Sequence, residues 1–450
     1  MIKKILSNQV NRTKAVACIF VAVISVFMLY IVYYSAVFPG FNMVNDAEKE
    51  KLQKEEGVDV KATIEGSIVD SNGEIITLAE YPGVRGYCYY DSYGMLVGYN
   101  SVTLGRSGLR TKYENYLYKG DKDHKGASIK LTTVTQVQNT AYQAIKGTDG
   151  CVVVIENSTG RIIALATSNS QKTLDINNVP DSFSDFPKGS LVPNWRAKMP
   201  PGSVIKPLVG TLIYDEGMAK QVYHDKGTET IDGHRIHNAN KAVYGNVSLN
   251  KAIVKSCNTY FAHMTDEIGA EKLQKRLEAF SIGKKMDFDF DFVTISSEHN
   301  LEKSTRSEIA DAGYGQGRLL FTPINIAMIG QTIANDGEML QPYIIDSIYY
   351  PKKVLYQGEK NVLGQPCSKE AARYVSSAML DAAEHYGINR KYNIHAKTGT
   401  AEIKLNGKNY NRASFLSFND KYTVCIVENY TGKAGRNLAD TALKIYRVLD

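Results

Sequence analysis

The sequence predicts an α+β body with a mostly antiparallel sheet, preceded by a transmembrane helix and a small β-rich module. Three observations carry this. Ala15 to Phe38 is a run of 24 residues without a charge, long enough to cross a bilayer as a helix of about 20 residues. GSIVDSNGEIITLA and GCVVVIENSTGRIIALAT read as hairpins, the first turning at Asn72-Gly73 and the second at Ser158-Thr159-Gly160. The chain closes on strand, strand and helix, NRASFLSFND, YTVCIVEN and ADTALKIYRVLD.

The first 14 residues carry Lys3, Lys4, Arg12 and Lys14 and no acid, so this tail is expected to stay cytoplasmic and the body to face outward. A cleaved signal peptide would have an apolar core of only about 7–15 residues. A charged juxtamembrane stalk follows over 39–64, then a pedestal over 65–130 and the main body over 131–450. The expected localisation is thus a single-pass cell-membrane protein with a cytoplasmic N-terminus and an extracytoplasmic main body.

Within the body, Leu131 to Ile145 has helical pattern, as does Leu249 to Gly269, with Ser256-Cys257-Asn258 inside it. Thr322, Pro323 and Gly337 punctuate another helix at both ends. The net charge of +6 is mild for 450 residues. It suits an anionic surface and gives no ground for a nucleic-acid partner. Cys88, Cys151, Cys257, Cys367 and Cys425 are widely spaced, outside any metal pattern, and are expected to be mostly free thiols, one bridge being the alternative. His224, His234 and His237 are too irregular to argue for a metal, and neither metal nor cofactor is expected.

Three short motifs occur in order. S-x-x-K is Ser203 to Lys206, in MPPGSVIKPLVG; S-x-N is Ser256 to Asn258; K-T-G is Lys397 to Gly399. S-x-x-K alone says little, because Ser281 to Lys284 has it too. The ordered triple is the signature of serine acyl-transferring enzymes of the penicillin-binding class. Ser203 and Lys206 share a helix face, and Pro207 fits only a first helical turn. Burial or a second cation, Lys397, would lower the Lys206 pKa and free an amine to act as general base toward Ser203. Ser256 can relay a proton to a leaving amine, and Asn258 can orient a peptide amide. Lys397 with Thr398 and Thr400 can hold a carboxylate, and Gly399 lets the strand edge approach substrate. Backbone N–H groups of Ser203 and Thr400 would form the oxyanion hole.

Longer segments carry a family resemblance. EGSIVDSNGEIIT, GYNSVTLGRSGLRTKYENYL, LTTVTQVQNTA, NWRAKMPPGSVIK, GYGQGRLLFTP, HAKTGTAE and RASFLSF together resemble the class B penicillin-binding proteins of the PbpA/FtsI type. Glu65 stands where that family usually has arginine, Ala396 where glycine is frequent, and Ser414 where tryptophan is common. The resemblance implies a penicillin-binding, serine β-lactamase-like fold, an antiparallel sheet with helices on both sides. It implies a peptidoglycan D,D-transpeptidase that cross-links stem peptides through a Ser203 acyl-enzyme and releases terminal D-alanine. Its implied partners are stem peptides on lipid-linked precursor or nascent glycan, β-lactams as inhibitors, the membrane, and a RodA/FtsW-type glycosyltransferase. The alternatives are a D,D-carboxypeptidase or serine β-lactamase and, in a different class, a β-lactam sensor or non-catalytic cell-wall scaffold.

Overall fold

The computed structural model describes residues 63–449, apart from 80–84, 102, 121–124, 171–173, 188–191, 287–288, 290–294, 297–298, 300 and 406–407. The chain enters as a hairpin, β1 (Ile68–Val69) and β2 (Ile75–Leu78), followed by β3 (Tyr87–Cys88). Gly73 supplies the positive φ of +84° at the predicted turn. Strand β4 (Ser128–Leu131) then leads into helix α1 (Thr135–Ile145). The helical pattern starting at Leu131 therefore spans two elements, and the helix begins four residues later than expected. Its Val134 cap position makes no side-chain bond, and Asp70 fills that role from the hairpin. Asp70 Oδ2 accepts from Thr135 N at 2.9 Å, while Oδ1 takes Asn72 N and Glu74 N at 2.8 and 2.9 Å.

The second hairpin is β5 (Asp149–Glu156) and β6 (Ile162–Ser168). Helix α2 (Lys206–Asp215) is followed by β7 (Tyr223–Asp225), β8 (Thr228–Ile231) and β9 (His234–His237). Next come α3 (Leu249–Lys255), α4 (Asn258–Ile268), α5 (Arg306–Gly313) and α6 (Pro323–Ala334). Strands β10 (Ile345–Tyr350) and β11 (Lys353–Gln357) precede α7 (Lys369–His385). The chain ends on β12 (His395–Leu405), β13 (Lys408–Phe418), β14 (Tyr422–Thr431) and α8 (Ala439–Tyr446).

The central sheet runs β12-β13-β14-β5-β6 and is antiparallel throughout. Its β-branched strands are buried on both faces, which is why they read as near-continuous apolar runs. Val152 and Val154 face one core with Val137, Ala141 and Ile145 of α1 and Ala442 and Ile445 of α8. Cys151, Val153 and Ile155 face the other, with Leu208 of α2, Phe261 of α4, Ile326 of α6 and Val375 of α7. Helix α6 starts at a Thr322 capping box, with Pro323 in its first turn, and is buried from Pro323 to Ile333. Cys88, Cys151, Cys257, Cys367 and Cys425 are all buried free thiols.

A second sheet has the order β11-β10-β4-β1-β2-β3, with β1 and β4 parallel. It draws strands from both sides of residue 131: Ile345 of β10 lies opposite Leu131, and Ile348 opposite Ile129. Beside it Glu65 and Arg110 form an ion pair, both side chains fully buried. Arg110 Nε donates to Glu65 Oε1 at 2.8 Å, and its other nitrogens donate to the Gly98 and Gly86 carbonyls.

The structure corrects the expected topology. Among the described residues no helix is long and apolar enough to cross a membrane, and Ala15 to Phe38 lies outside them. The longest described helix, α7, has 17 residues and includes Lys369, Glu370, Arg373, Asp381 and Glu384, which suit a water-facing side rather than lipid. The described residues form the α+β body and its second sheet, with no transmembrane helix among them, and lend nothing to the single-pass extracytoplasmic localisation.

Replacing Glu65 by Leu strands the buried Arg110 guanidinium. The expected loss is about 3–5 kcal/mol of stability, read from urea unfolding midpoints. A loss under about 1 kcal/mol would mean that the two carbonyls alone satisfy Arg110.

Candidate active site

Pro200 and Pro201 stiffen the approach to the first motif, and Gly202 turns it with φ +59°. A 3₁₀ turn over Gly202–Ile205 carries Ser203 and passes directly into α2, with Pro207 in the helix's first turn. Ser203 is half-buried, and Lys206 is wholly buried. The turn is braced from outside. Gly202 N donates to Gly315 O at 2.9 Å, and Met199 and Phe321 exchange N–H···O bonds of 2.9 and 2.7 Å. Gly315 has φ +89°, and a Cβ there would lie 2.1 Å from the Gly202 carbonyl oxygen. Only glycine fits so close to the turn.

The second motif corrects an expectation. Leu249 to Gly269 is two helices, α3 and α4, broken at Ser256-Cys257. Ser256 is left-handed (φ 55°, ψ 43°), rare for a residue with a Cβ. The break releases the Ser256 carbonyl from the helix ladder and turns it toward Lys206. Lys206 Nζ donates to Ser256 O at 2.8 Å, Ser256 Oγ at 3.0 Å and Asn258 Oδ1 at 2.7 Å. Those are the three bonds an ammonium can make, and none goes to Ser203. The Phe261 ring lies 5.5 Å from the same nitrogen.

The third motif lies on β12, the edge strand of the central sheet. Lys397, also wholly buried, donates to Ser256 Oγ at 3.0 Å and Thr398 O at 3.0 Å, with Tyr386 OH at 3.4 Å. A single hydroxyl, Ser256 Oγ, thus sits 3.0 Å from both lysine nitrogens. Burial pushes the Lys206 pKa well below the ordinary lysine value, and the Lys397 charge pushes it the same way. A Cβ on Gly399 would meet Ser414 Oγ at 2.4 Å and Val204 Cγ1 at 3.2 Å, so glycine lets β12 lie against the Ser203 turn. Thr400 is exposed, and its Oγ1 accepts from Gly435 N at 3.0 Å. Thr398 is half-buried.

Lys206, Ser256, Asn258 and Lys397 therefore share one hydrogen-bonded cluster. Ser203 is one turn before Lys206, and Gly399 packs on the residue after Ser203. The second S-x-x-K separates from this cluster: Ser281 is a left-handed residue in a turn, and Lys284 is exposed. Tyr386, at the end of α7, and Phe261 carry no sequence signal for their place beside the lysines. His237 contributes through its backbone, its carbonyl accepting from Asn258 Nδ2 at 2.9 Å.

Residues 150–444 match the family model of the penicillin-binding protein transpeptidase domain. The peptidoglycan D,D-transpeptidase MrdA of Acinetobacter baumannii is 26% identical over 356 residues; the match spans 69% of this chain and 53%, about half, of that relative's length. The peptidoglycan D,D-transpeptidase PbpA of Mycolicibacterium smegmatis is 26% identical over 385 residues, covering 76% of each chain. The crystal structure of the D,D-transpeptidase domain of a peptidoglycan glycosyltransferase from Eggerthella lenta superposes with TM-score 0.76 at 26% identity, covering 86% of this chain and 98% of that one. Penicillin-binding protein A from M. tuberculosis, solved as a penicillin G acyl-enzyme complex, has the same fold, with TM-score 0.76 at 21% identity over 86% of this chain and 100% of that one. With its three motifs gathered on this fold, the chain belongs to the penicillin-binding protein transpeptidase family, in the class B FtsI/PbpA group.

Proposed function

We propose that this chain is a peptidoglycan D,D-transpeptidase acting through a Ser203 acyl-enzyme. The observation that carries the reading is the Ser256 hydroxyl held 3.0 Å from two buried lysines, one of which, Lys206, lies one turn of helix from Ser203. A neutral Lys206 keeps two N–H donors and gains a lone pair, so one of its three contacts is released to accept a proton. Ser203 Oγ attacks the carbonyl of the penultimate D-alanine while its proton passes to Lys206. The backbone N–H groups of Ser203 and Thr400 hold the developing oxyanion. Ser256 Oγ relays the proton from Lys206 to the leaving amine, and D-alanine departs. The amine of a neighbouring stem peptide then attacks the acyl-enzyme, and Ser203 leaves with its proton restored. Asn258 Nδ2 has a second proton beyond the one given to His237 O, and this proton orients the substrate amide. Lys397, Thr398 and Thr400 hold the terminal carboxylate, and Gly399 keeps their strand close against the Ser203 turn. β-Lactams acylate the same serine on this reading, and a RodA/FtsW-type glycosyltransferase supplies the glycan whose peptides are joined.

Fluorescent penicillin is expected to label the wild-type chain covalently and slowly leave it, and to leave Ser203→Ala unlabelled. Equal labelling of both would refute the acyl-enzyme. Release within seconds would favour the hydrolytic, β-lactamase-type alternative.

The pH profile of acylation is expected to fall on the acid side as Lys206 becomes an ammonium, which cannot take the serine proton. Lys397 lowers the Lys206 pKa. In Lys397→Met the acid limb therefore moves to higher pH, whatever the drop in rate. A limb that stays put or moves to lower pH would contradict this assignment.

Gly315→Ala drives a Cβ into the Gly202 carbonyl and forces a side chain onto φ +89°. Acylation is expected to slow at least about tenfold, with about 1–3 kcal/mol lost in unfolding. Wild-type labelling kinetics in this variant would show that the Ser203 turn does not depend on the glycine loop.

A further inference from the structure

Asp225, at the end of β7, is fully buried, and its hydrogen-bond partners are neutral. Oδ1 accepts from Gly227 N at 2.9 Å, the Thr259 hydroxyl at 2.7 Å and Asn238 Nδ2 at 3.0 Å. Oδ2 accepts from Tyr244 N at 2.6 Å and from Asn238 Nδ2 at 3.0 Å. A buried carboxylate is costly unless its lone pairs are met, and five contacts meet them here.

The carboxylate also decides which way the Asn238 amide points. Asn238, itself 3% exposed, has its nitrogen on Asp225 and on the Ala242 carbonyl, so its oxygen faces α4. Asn238 Oδ1 accepts from the first two N–H groups of that helix, Asn258 N at 2.8 Å and Thr259 N at 3.2 Å. At the cap position of α4, Cys257 makes no side-chain capping bond; its Sγ lies 3.2 Å from the Thr259 hydroxyl instead. Asn238 is therefore the cap, supplied from 20 residues upstream. The first residue it fixes is Asn258, whose Oδ1 holds Lys206. The residue at the strained break just before it is Ser256.

We infer that Asp225 and Asn238 are positioning residues for acyl transfer, setting the Ser256–Asn258 turn against Lys206; this rests on the reading that Ser203 is acylated. Neither residue hydrogen-bonds Lys206, Lys397 or Ser256. Their effect passes through the cap, so it falls on Lys206 and on the Asn258 amide that orients the reacting bond rather than on the groups that hold the substrate carboxylate.

Time courses of labelling at several fluorescent-penicillin concentrations separate the first, non-covalent dissociation constant from the acylation rate constant. Asp225→Asn points amide donors at the Asn238 donors, and Asn238→Ala removes the cap. Each is expected to lower the acylation rate constant by about tenfold or more, with non-covalent affinity kept within about twofold. The double variant Asp225→Asn/Asn238→Asp sets a donor against an acceptor again and is expected to recover part of the rate. Recovery stays partial because the Ala242 carbonyl loses its donor. Circular dichroism and thermal unfolding check that each variant is folded; should Asp225→Asn not fold, Asn238→Ala carries the same comparison. Wild-type acylation rates in the folded single variants would overturn the inference. So would a drop confined to affinity, or a double variant no faster than Asp225→Asn. An unlabelled wild-type protein would overturn the acyl-enzyme reading instead.

Discussion

Two lysines are buried against one hydroxyl, and the site depends on how that arrangement is tolerated. Taking two ammonium groups out of water is costly, and like charges raise the cost further. The protein meets part of it with oxygen atoms: Ser256 O, Ser256 Oγ and Asn258 Oδ1 around Lys206, and Ser256 Oγ, Thr398 O and the Tyr386 hydroxyl around Lys397. Lowering the affinity of Lys206 for its proton meets the rest. The burial cost that would weaken an ordinary core also makes Lys206 give up its proton more readily than an ordinary lysine.

Most of the backbone irregularities near the site serve this cluster. Ser256 is held left-handed so that its carbonyl and hydroxyl both reach Lys206. Gly202, Gly315 and Gly399 remove side chains where three segments meet around Ser203. Left-handed residues and close glycine approaches occur elsewhere too, as at Asn393 and Gly126, but at the site they fall between the two apolar cores that flank the central sheet.

The residues whose chemistry is fixed by type and spacing were legible in the sequence. Ser203 with Lys206, Ser256 with Asn258, and Lys397 with Gly399 stand out as three motifs in order, and the structure brings Lys206, Ser256, Asn258 and Lys397 into one cluster. Ser281 to Lys284 shows the limit of spacing alone, since an exposed lysine after a left-handed turn has the same pattern. The hairpins at Gly73 and Gly160 were legible because their turns need positive φ. The break at Ser256 was hidden, because the apolar period continues through it and a tertiary contact, not local propensity, bends the chain. Asp225 and Asn238 carry no sequence signal for their place, because nothing local marks these polar residues as buried. The pairing of Ile345 with Leu131 joins segments more than 200 residues apart, beyond any local pattern. Glu65 was noticed only as a departure from the family, and its partner Arg110 lies 45 positions along the chain.

The proposed proton transfer needs a Lys206 amine whose proton is made easier to lose by burial and by Lys397. Side-chain ¹⁵N resonances of the lysines, titrated in the folded chain and assigned with Lys206→Arg, measure this directly. Lys206 Nζ is expected to lose its proton well below the ordinary lysine value of about 10.4. A Lys206 that stays an ammonium up to that value would contradict it, and the base would have to be sought elsewhere in the cluster.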